Sequence, residues 1–399
     1  MDKNGYYGGP DTAFSLREAE EWTKKVNDSN QSAKYRNSQI YMPQTADGFE
    51  SKLAEQSRKY TLSLSPQLIY AQSKLLPALV SSRVHTLLEF QAVGSWWVYR
   101  GDKLQRIPSG REDVFADDTL SRKDKIALMK FLRSVVKEPE PEDTDDSEGK
   151  VPEDDDRPLA TLLESDFKMS QSLQQPLLAL SLSSSPASLT KSSYALPRIK
   201  RHMTSIGAFG PGFGSVLPKY GGNAELAQVG CRAGAVGGGV YVLGADVVGQ
   251  ESTDSPDHVK ISLSNGETVT TSYVAGSMDD LSKLYWTRDR GSASNQNLAQ
   301  SMHYIGIVSS PLTVLFPKTS ENGPVPAGAI VLVDDNGDNG KAPPIYLQVH
   351  SEDTGECPSG QCKHSFLLLA ATIPSMMIQL MNTYLHCLNY TVDTYPLTT

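Results

Sequence analysis

Apolar side chains recur every three or four positions across residues 120–137. Leu128, Phe131, Leu132, Val135 and Val136 form one stripe, and Ser121 with Asp124 has the spacing of a capping box, so the stretch predicts a helix. Residues 65–82 carry a similar period. Leu68, Ile69, Leu75, Leu76, Leu79 and Val80 fall on one face behind Ser65 as cap and Pro66 at the first helical position, with Pro77 as a kink. The period drops to two in the next segment. Trp97 and Tyr99 alternate against Trp96 and Val98, which predicts two strands around the turn Arg100-Gly101-Asp102-Lys103.

Helical character resumes from residue 159 to about 206. A further helix starts at Ala224 in "AELAQVGCRAGAVGGG", dense in small residues and ended by glycines. Strands are then predicted at 240–247, 304–308, 329–333, 345–350 and 366–371. A hairpin with Val259, Ile261, Leu263 and Val269 surrounds Asn265-Gly266, a pair suited to a type I′ turn. Residues 27–59 are polar and read as a loop. The order is mixed, then helical, then mixed, which predicts an α/β (α+β mixed) fold: a large domain from 1–110 and 216–372, a helical domain over 111–215, and an atypical tail at 373–399.

Charge alters this picture at one place. Net charge is -9, but residues 138–156 hold 11 acidic residues and one lysine; without them 35 acids face 36 bases. So dense a run cannot bury apolar surface and is expected to be a disordered insertion. The near-neutral remainder has no basic face for nucleic acid. Four scattered cysteines point to a reduced, cytosolic compartment. Residues 365–388 are apolar, yet Pro374, Gln379, Asn382 and His386 interrupt them, so a buried strand is favoured over a membrane span.

Motifs for bond chemistry fail their context tests. "GPGFG" at Gly210, Gly212 and Gly214 follows a helix where a dinucleotide fingerprint follows a strand. "DDNGDN" at 334–339 begins like a calcium loop but has Asn339 and Ile345 at the positions for Gly and Glu. "CPSGQC" lacks a second ligand pair, and the seven histidines show no metal spacing. Cys231 beside Arg232 is a candidate activated thiol or, more simply, a small buried residue. No metal, cofactor or catalytic residue is assigned. One charge pair stands out. Glu225 and Arg232 lie seven residues apart, two turns along the same helix face, with small residues between. The face is either a low ledge for a partner protein or an ordinary solvated surface.

"DKNGYYGG", "LLEFQAVGSWWVYRGDKLQRIPSGREDVF" and "PKYGGNAELAQVGCRAGAVGGGVYVLG" resemble the Rab escort protein and Rab GDP-dissociation inhibitor family, in the same order over residues 2 to about 372. "SGREDVFADDTLSRKDKIALMKFL" and the acidic run are more similar to the escort branch, in its fungal form. The resemblance implies a large domain related to FAD-dependent monooxygenases with an inserted helical domain, in a chain whose first strand and glycine-rich turn are missing and whose tail departs from the family. It implies partners: GDP-bound and prenylated Rab GTPases, Rab geranylgeranyltransferase, a geranylgeranyl lipid and transient membrane contact. By resemblance the Rab platform comprises Tyr7, Glu225, Arg232 and Val242. Glu89, Phe90, Trp97 and Ile107 would form a groove for the Rab C-terminal tail, and Phe213 and Tyr220 would lie on a mobile loop. The alternatives are a recycling GDP-dissociation inhibitor and a flavin oxidoreductase.

Overall fold

The computed structural model describes residues 1–28, 35–41, 55–100, 103–136, 155–251, 257–281, 284, 301–319, 323–333 and 343–369. Its centre is β4 (Phe90–Arg100), which is followed by the short β5 (Lys103–Arg106) folded back on it with Trp97 opposite Arg106. On one side β4 pairs in parallel with β11 (Gly328–Val333); on the other it pairs antiparallel with β6 (Ser215–Pro218). β11 continues antiparallel to β12 (Ile345–Ser351), then β13 (Cys362–Leu369), then β10 (Ser301–Val308), and β3 (Ile69–Tyr70) closes the other edge against β6. Small sheets of β1 (Ala13–Phe14) with β2 (Leu62–Ser63), and of β7 (Val247–Glu251), β8 (Val259–Leu263) and β9 (Thr268–Thr271), lie apart from this one.

The alternation along β4 divides the core. Trp96 and Val98 join Ile330 and Leu332 on one face, while Trp97 and Tyr99 join Ala329, Val331 and Val333 on the other. Strand periodicity of two on both β4 and β11 buries each face of the sheet under a separate layer.

The first face carries the helices: α3 (Arg111–Ala116), α4 (Arg122–Val136), α5 (Leu159–Ser165), α6 (Gln171–Ser181) and α7 (Ser192–Ser205), numbered after α1 (Leu16–Asp28) and α2 (Leu75–Ser81). Leu128, Phe131 and Val135 of α4 are buried with Leu159, Leu177 and Ile199 in the same cluster as Trp96, so helices and sheet share one core. Ser121 starts α4 as expected. Its hydroxyl donates to Asp124 at 2.7 Å while the Asp124 amide donates back at 3.1 Å. The end of the acidic run is ordered: Asp155 takes hydrogen bonds from Arg157, the closest at 2.7 Å, and Asp156 pairs with Lys191 at 2.8 Å. The rest of that run, the calcium-like loop at 334–339 and the tail at 373–399 lie outside the described residues.

Four expectations are corrected. Residues 65–82 do not form one helix. Ile69 and Tyr70 are both buried and make β3, because Val216 and Ser215 offer a strand edge, and only Leu75–Ser81 is helical. Pro77 sits in the first turn of α2, where its missing N–H has no helical partner to lose, so no kink is needed. Residues 240–247 contain a single parallel bridge, Asp2 to Leu243, and ladder pairing starts only at Val247; Val240 is solvent-exposed. Of the loop expected at 27–59, residues 27 and 28 are helical and Ser57–Lys59 make a 3-10 turn: α1 runs to Asp28, and at its start the Ser15 amide donates to Glu18 at 2.8 Å. The hairpin turn is not type I′, since Gly266 alone has a positive φ, at 86°, and Asn265 does not. The Gly266 amide donates to the Leu263 carbonyl and Leu263 to Glu267, the three-residue arrangement with one left-handed glycine.

Phe131 is fully buried and meets Phe167 edge-on at 5.1 Å. Phe131→Ala is expected to lower unfolding free energy by about 3–5 kcal/mol, seen as a reduced urea midpoint with unchanged slope. The fold also carries buried neutral histidines. Burial lowers His202, which lies edge-on to Trp96 and Tyr70, and His364 from 6.5 to about 4. An unfolded chain takes up those protons first, so stability is complete above pH 6.5 and falls as pH drops toward 4. Urea midpoints measured across this window should fall, and His202→Phe should flatten the decline.

Candidate partner-binding surface and apolar cavity

The small-residue helix is observed as α8 (Asn223–Val236). Ala224 and Val229 are its buried residues, and Leu226 packs toward Ile69, Ala92, Phe213 and Val216. The opposite side is open. Glu225 is half-buried, and burial lifts its carboxyl above the ordinary glutamate value; Arg232 is exposed. At 1.5 Å per residue the two are about 10 Å apart along the helix. Exposed Gln228 and buried Val229 lie between them on that face, and Gly230 adds no side chain beside it. At Gly234 a side chain would meet the Tyr241 hydroxyl, which lies 2.1 Å from where a Cβ would stand.

The N-terminal segment comes to the same region. The Asp2 amide donates to the Val242 carbonyl at 2.9 Å, Gly244 to the Asn4 carbonyl at 2.9 Å, and Ala245 to the Asp2 carbonyl at 3.0 Å. A 3-10 turn, Gly9–Asp11, packs beside α8. Tyr6 turns inward and meets Phe14 edge-on at 5.0 Å, leaving Tyr7 exposed. Val242 therefore enters the arrangement through its carbonyl, as an anchor for the chain that carries Tyr7.

The four groove residues are dispersed. Glu89 and Phe90 stand at the start of β4, where Glu89 pairs with Lys219 at 3.2 Å and Phe90 leans on the Ile69–Phe213 cluster. Trp97 and Ile107 are both buried on opposite faces of the sheet, and the Trp97 indole donates to the Leu315 carbonyl at 3.3 Å. The two loop residues also differ. Phe213 is buried and stacks on Phe209 at 6.1 Å, and its glycine neighbours press against Thr319 and Ser205. Tyr220 is half exposed with a left-handed backbone, φ 65°.

That strained tyrosine is held by a loop the sequence did not single out. The Tyr220 amide donates to Thr354 at 2.9 Å, and its ring lies against Gly355, whose φ is 71° and where a Cβ would come within 2.6 Å of the ring. Beside it Glu356 is wholly buried between Lys363, at 2.8 Å, and the imidazole of His350, and its carbonyl accepts from Thr61 at 2.9 Å. Burial alone raises the Glu356 carboxyl, but Lys363 and the neighbouring His350 imidazole overcome it and bring the group down to about 2. No local spacing announces this cluster, because its members come from two strands and the turn between them. Among the described residues no group of three or more His, Cys, Asp or Glu is placed to hold a metal ion, and no helix is long and apolar enough to cross a membrane.

A cavity of about 530 Å³ opens between α4, α6 and β5. Ile107, Leu128, Leu132, Leu173 and Leu177 are among its apolar lining, with Arg106, Asp117 and Arg133 among the polar residues. Pro176 also lines it and cannot donate to the Ser172 carbonyl, which loosens α6 at this wall.

With that geometry in view, the chain belongs to the GDP dissociation inhibitor family, whose model matches residues 1–282. It is 31% identical over 249 residues to a Candida albicans protein named Rab proteins geranylgeranyltransferase component A, covering 62% of this chain and 37% of that relative. The Saccharomyces cerevisiae protein of the same name is 31% identical over 252 residues, covering 62% and 39%. The chain thus spans under two fifths of the length of these relatives. A solved Rab GDI structure from Plasmodium falciparum superposes with a TM-score of 0.64 at 20% identity, covering 95% of this chain and 78% of that one, so the mixed α/β fold is shared.

Gly355→Ala would force a left-handed alanine into the Tyr220 ring. A loss of about 1–2 kcal/mol is expected from the backbone alone. Chemical denaturation measures it, and amide exchange at Tyr220 should quicken with it.

Proposed function

We propose that this protein is a Rab escort chaperone, an accessory protein that performs no bond chemistry. It binds GDP-bound Rab GTPases, presents them to Rab geranylgeranyltransferase and carries the prenylated product to membranes, working from the cytoplasm. The observation that carries this reading is the open face of α8. A half-buried acid and an exposed arginine sit two turns apart on one helix face, with Gln228 between them and the segment of Tyr7 alongside. Family membership and the names of the fungal relatives support it.

The remaining assignments follow from the same reading. Tyr7, Glu225, Arg232 and the chain at Val242 form the Rab platform. Glu89 and Phe90 begin the path of the Rab tail, in the half of β4 that reaches the surface, and Tyr220 with the loop before it edges that path. The cavity between α4 and α6 shelters a geranylgeranyl chain, whose buried methylenes contribute about 0.8 kcal/mol each. The likeness to Rab GDI favours a second reading, a recycling inhibitor of prenylated Rab. Co-precipitation with the transferase separates the two, since an escort protein retains it and a recycling inhibitor does not.

Arg232→Ala and Glu225→Ala should each weaken binding of GDP-loaded Rab by at least ~1 kcal/mol, about fivefold in Kd, with thermal stability unchanged. Titration with fluorescent Rab measures it. Unaltered affinity in both variants would remove the platform assignment.

A further inference from the structure

The wall of the cavity is not uniformly apolar, and its polar residues are unevenly satisfied. Asp117 already accepts from the Thr119 amide at 2.8 Å and the Thr119 hydroxyl at 2.6 Å. Arg106 is different: its Nε is buried and has no hydrogen-bond partner. Arg133, exposed on α4, adds a second positive charge to the same lining. Two guanidinium groups and one carboxylate that is already engaged thus share the lining.

From this we infer that the cavity binds a free single-chain lipid with an anionic head, and that Arg106 receives the head. The Arg106 side chain is half-buried in the cavity wall and forms no ion pair there among the described residues, and an anionic ligand oxygen meeting its guanidinium supplies the missing partner. A charged oxygen does so about twice as well as a neutral one. The leucine-rich wall takes the chain, and the volume lies within the range of small-molecule sites. Arg106 is well placed to discriminate. It is held in register on β5 opposite Trp97, and the next residue is fixed by the Ile107 amide donating to the Trp96 carbonyl at 2.7 Å. The inference shares the cavity with the escort reading but requires no Rab. The carboxylate of a fatty acid and the diphosphate of an activated prenyl alcohol both supply the head chemistry.

The test uses the full chain and two matched pairs, palmitate with hexadecanol and geranylgeranyl diphosphate with geranylgeraniol, each displacing an environment-sensitive fluorescent lipid. In at least one pair the anion should bind tenfold or more tighter than its alcohol, and that pair identifies the source of the head. Arg106→Gln should erase the preference while leaving alcohol binding within about twofold, and Arg106→Lys should restore part of it. Leu173→Trp, which fills the cavity, should weaken all four probes. Equal binding of acids and alcohols, or a preference that survives Arg106→Gln, would overturn the inference. If Arg106→Gln loses every probe, Arg106→Lys decides: a regained preference supports the assignment and its absence refutes it. Lipid binding without Rab binding would sink the escort reading alone.

Discussion

Everything described here hangs on β4 and its parallel pairing with β11. Strand residues must alternate sides, so a strand with apolar side chains at consecutive positions has to be covered twice. Trp96 and Val98 demand one cover and Trp97 and Tyr99 another. The helices from α3 to α7 answer the first demand, which is why residues contributed by five helices and four strands bury into a single cluster. The parallel register with β11 brings Ile330 and Leu332 under those helices, and it joins the middle of the chain to its later part across a long crossover.

The sequence made visible what is local. α4 and α8 were legible because capping and the 3.6-residue period are properties of neighbouring residues, and the β4–β5 hairpin because alternation and a turn suffice to define it. What failed was decided at a distance. Ile69 and Tyr70 fit a helical stripe, and only the edge of β6 makes them a strand. Leu243 looked like part of a ladder, yet its one partner is Asp2, at the far end of the sequence. The candidate surface divides in the same way. Glu225 and Arg232 were legible because one helix carries both. Lys219, Gly355 and Glu356 were invisible because their meaning comes from Glu89, Tyr220, His350 and Lys363, none of them set by spacing.

The loop around Glu356 shows how a left-handed tyrosine survives. Such a backbone is unfavourable for a bulky side chain and persists only where its surroundings over-determine it. Here a buried carboxylate between the Lys363 ammonium and the His350 imidazole fixes the loop on one side, and Thr61 fixes it on another. Breaking a buried ion cluster by removing one member strands the remaining charge, so the loop has little freedom to leave. The rigid loop in turn sets Tyr220, two residues before the glycine that opens α8.

The ledge and the cavity therefore belong to one mechanical unit. Phe90, at one end of β4, leans on the cluster that also receives Leu226 of α8, while Val98 lines the cavity toward the other end. Eight strand residues at ~3.4 Å each separate those points by about 27 Å. Every residue of β4 from Ala92 to Tyr99 is buried, β11 pairs with it from Val93 to Tyr99 with one register shift at Gly94, and β6 and β5 pair with its two ends on the other edge. The ledge and the cavity are thus joined through one buried strand.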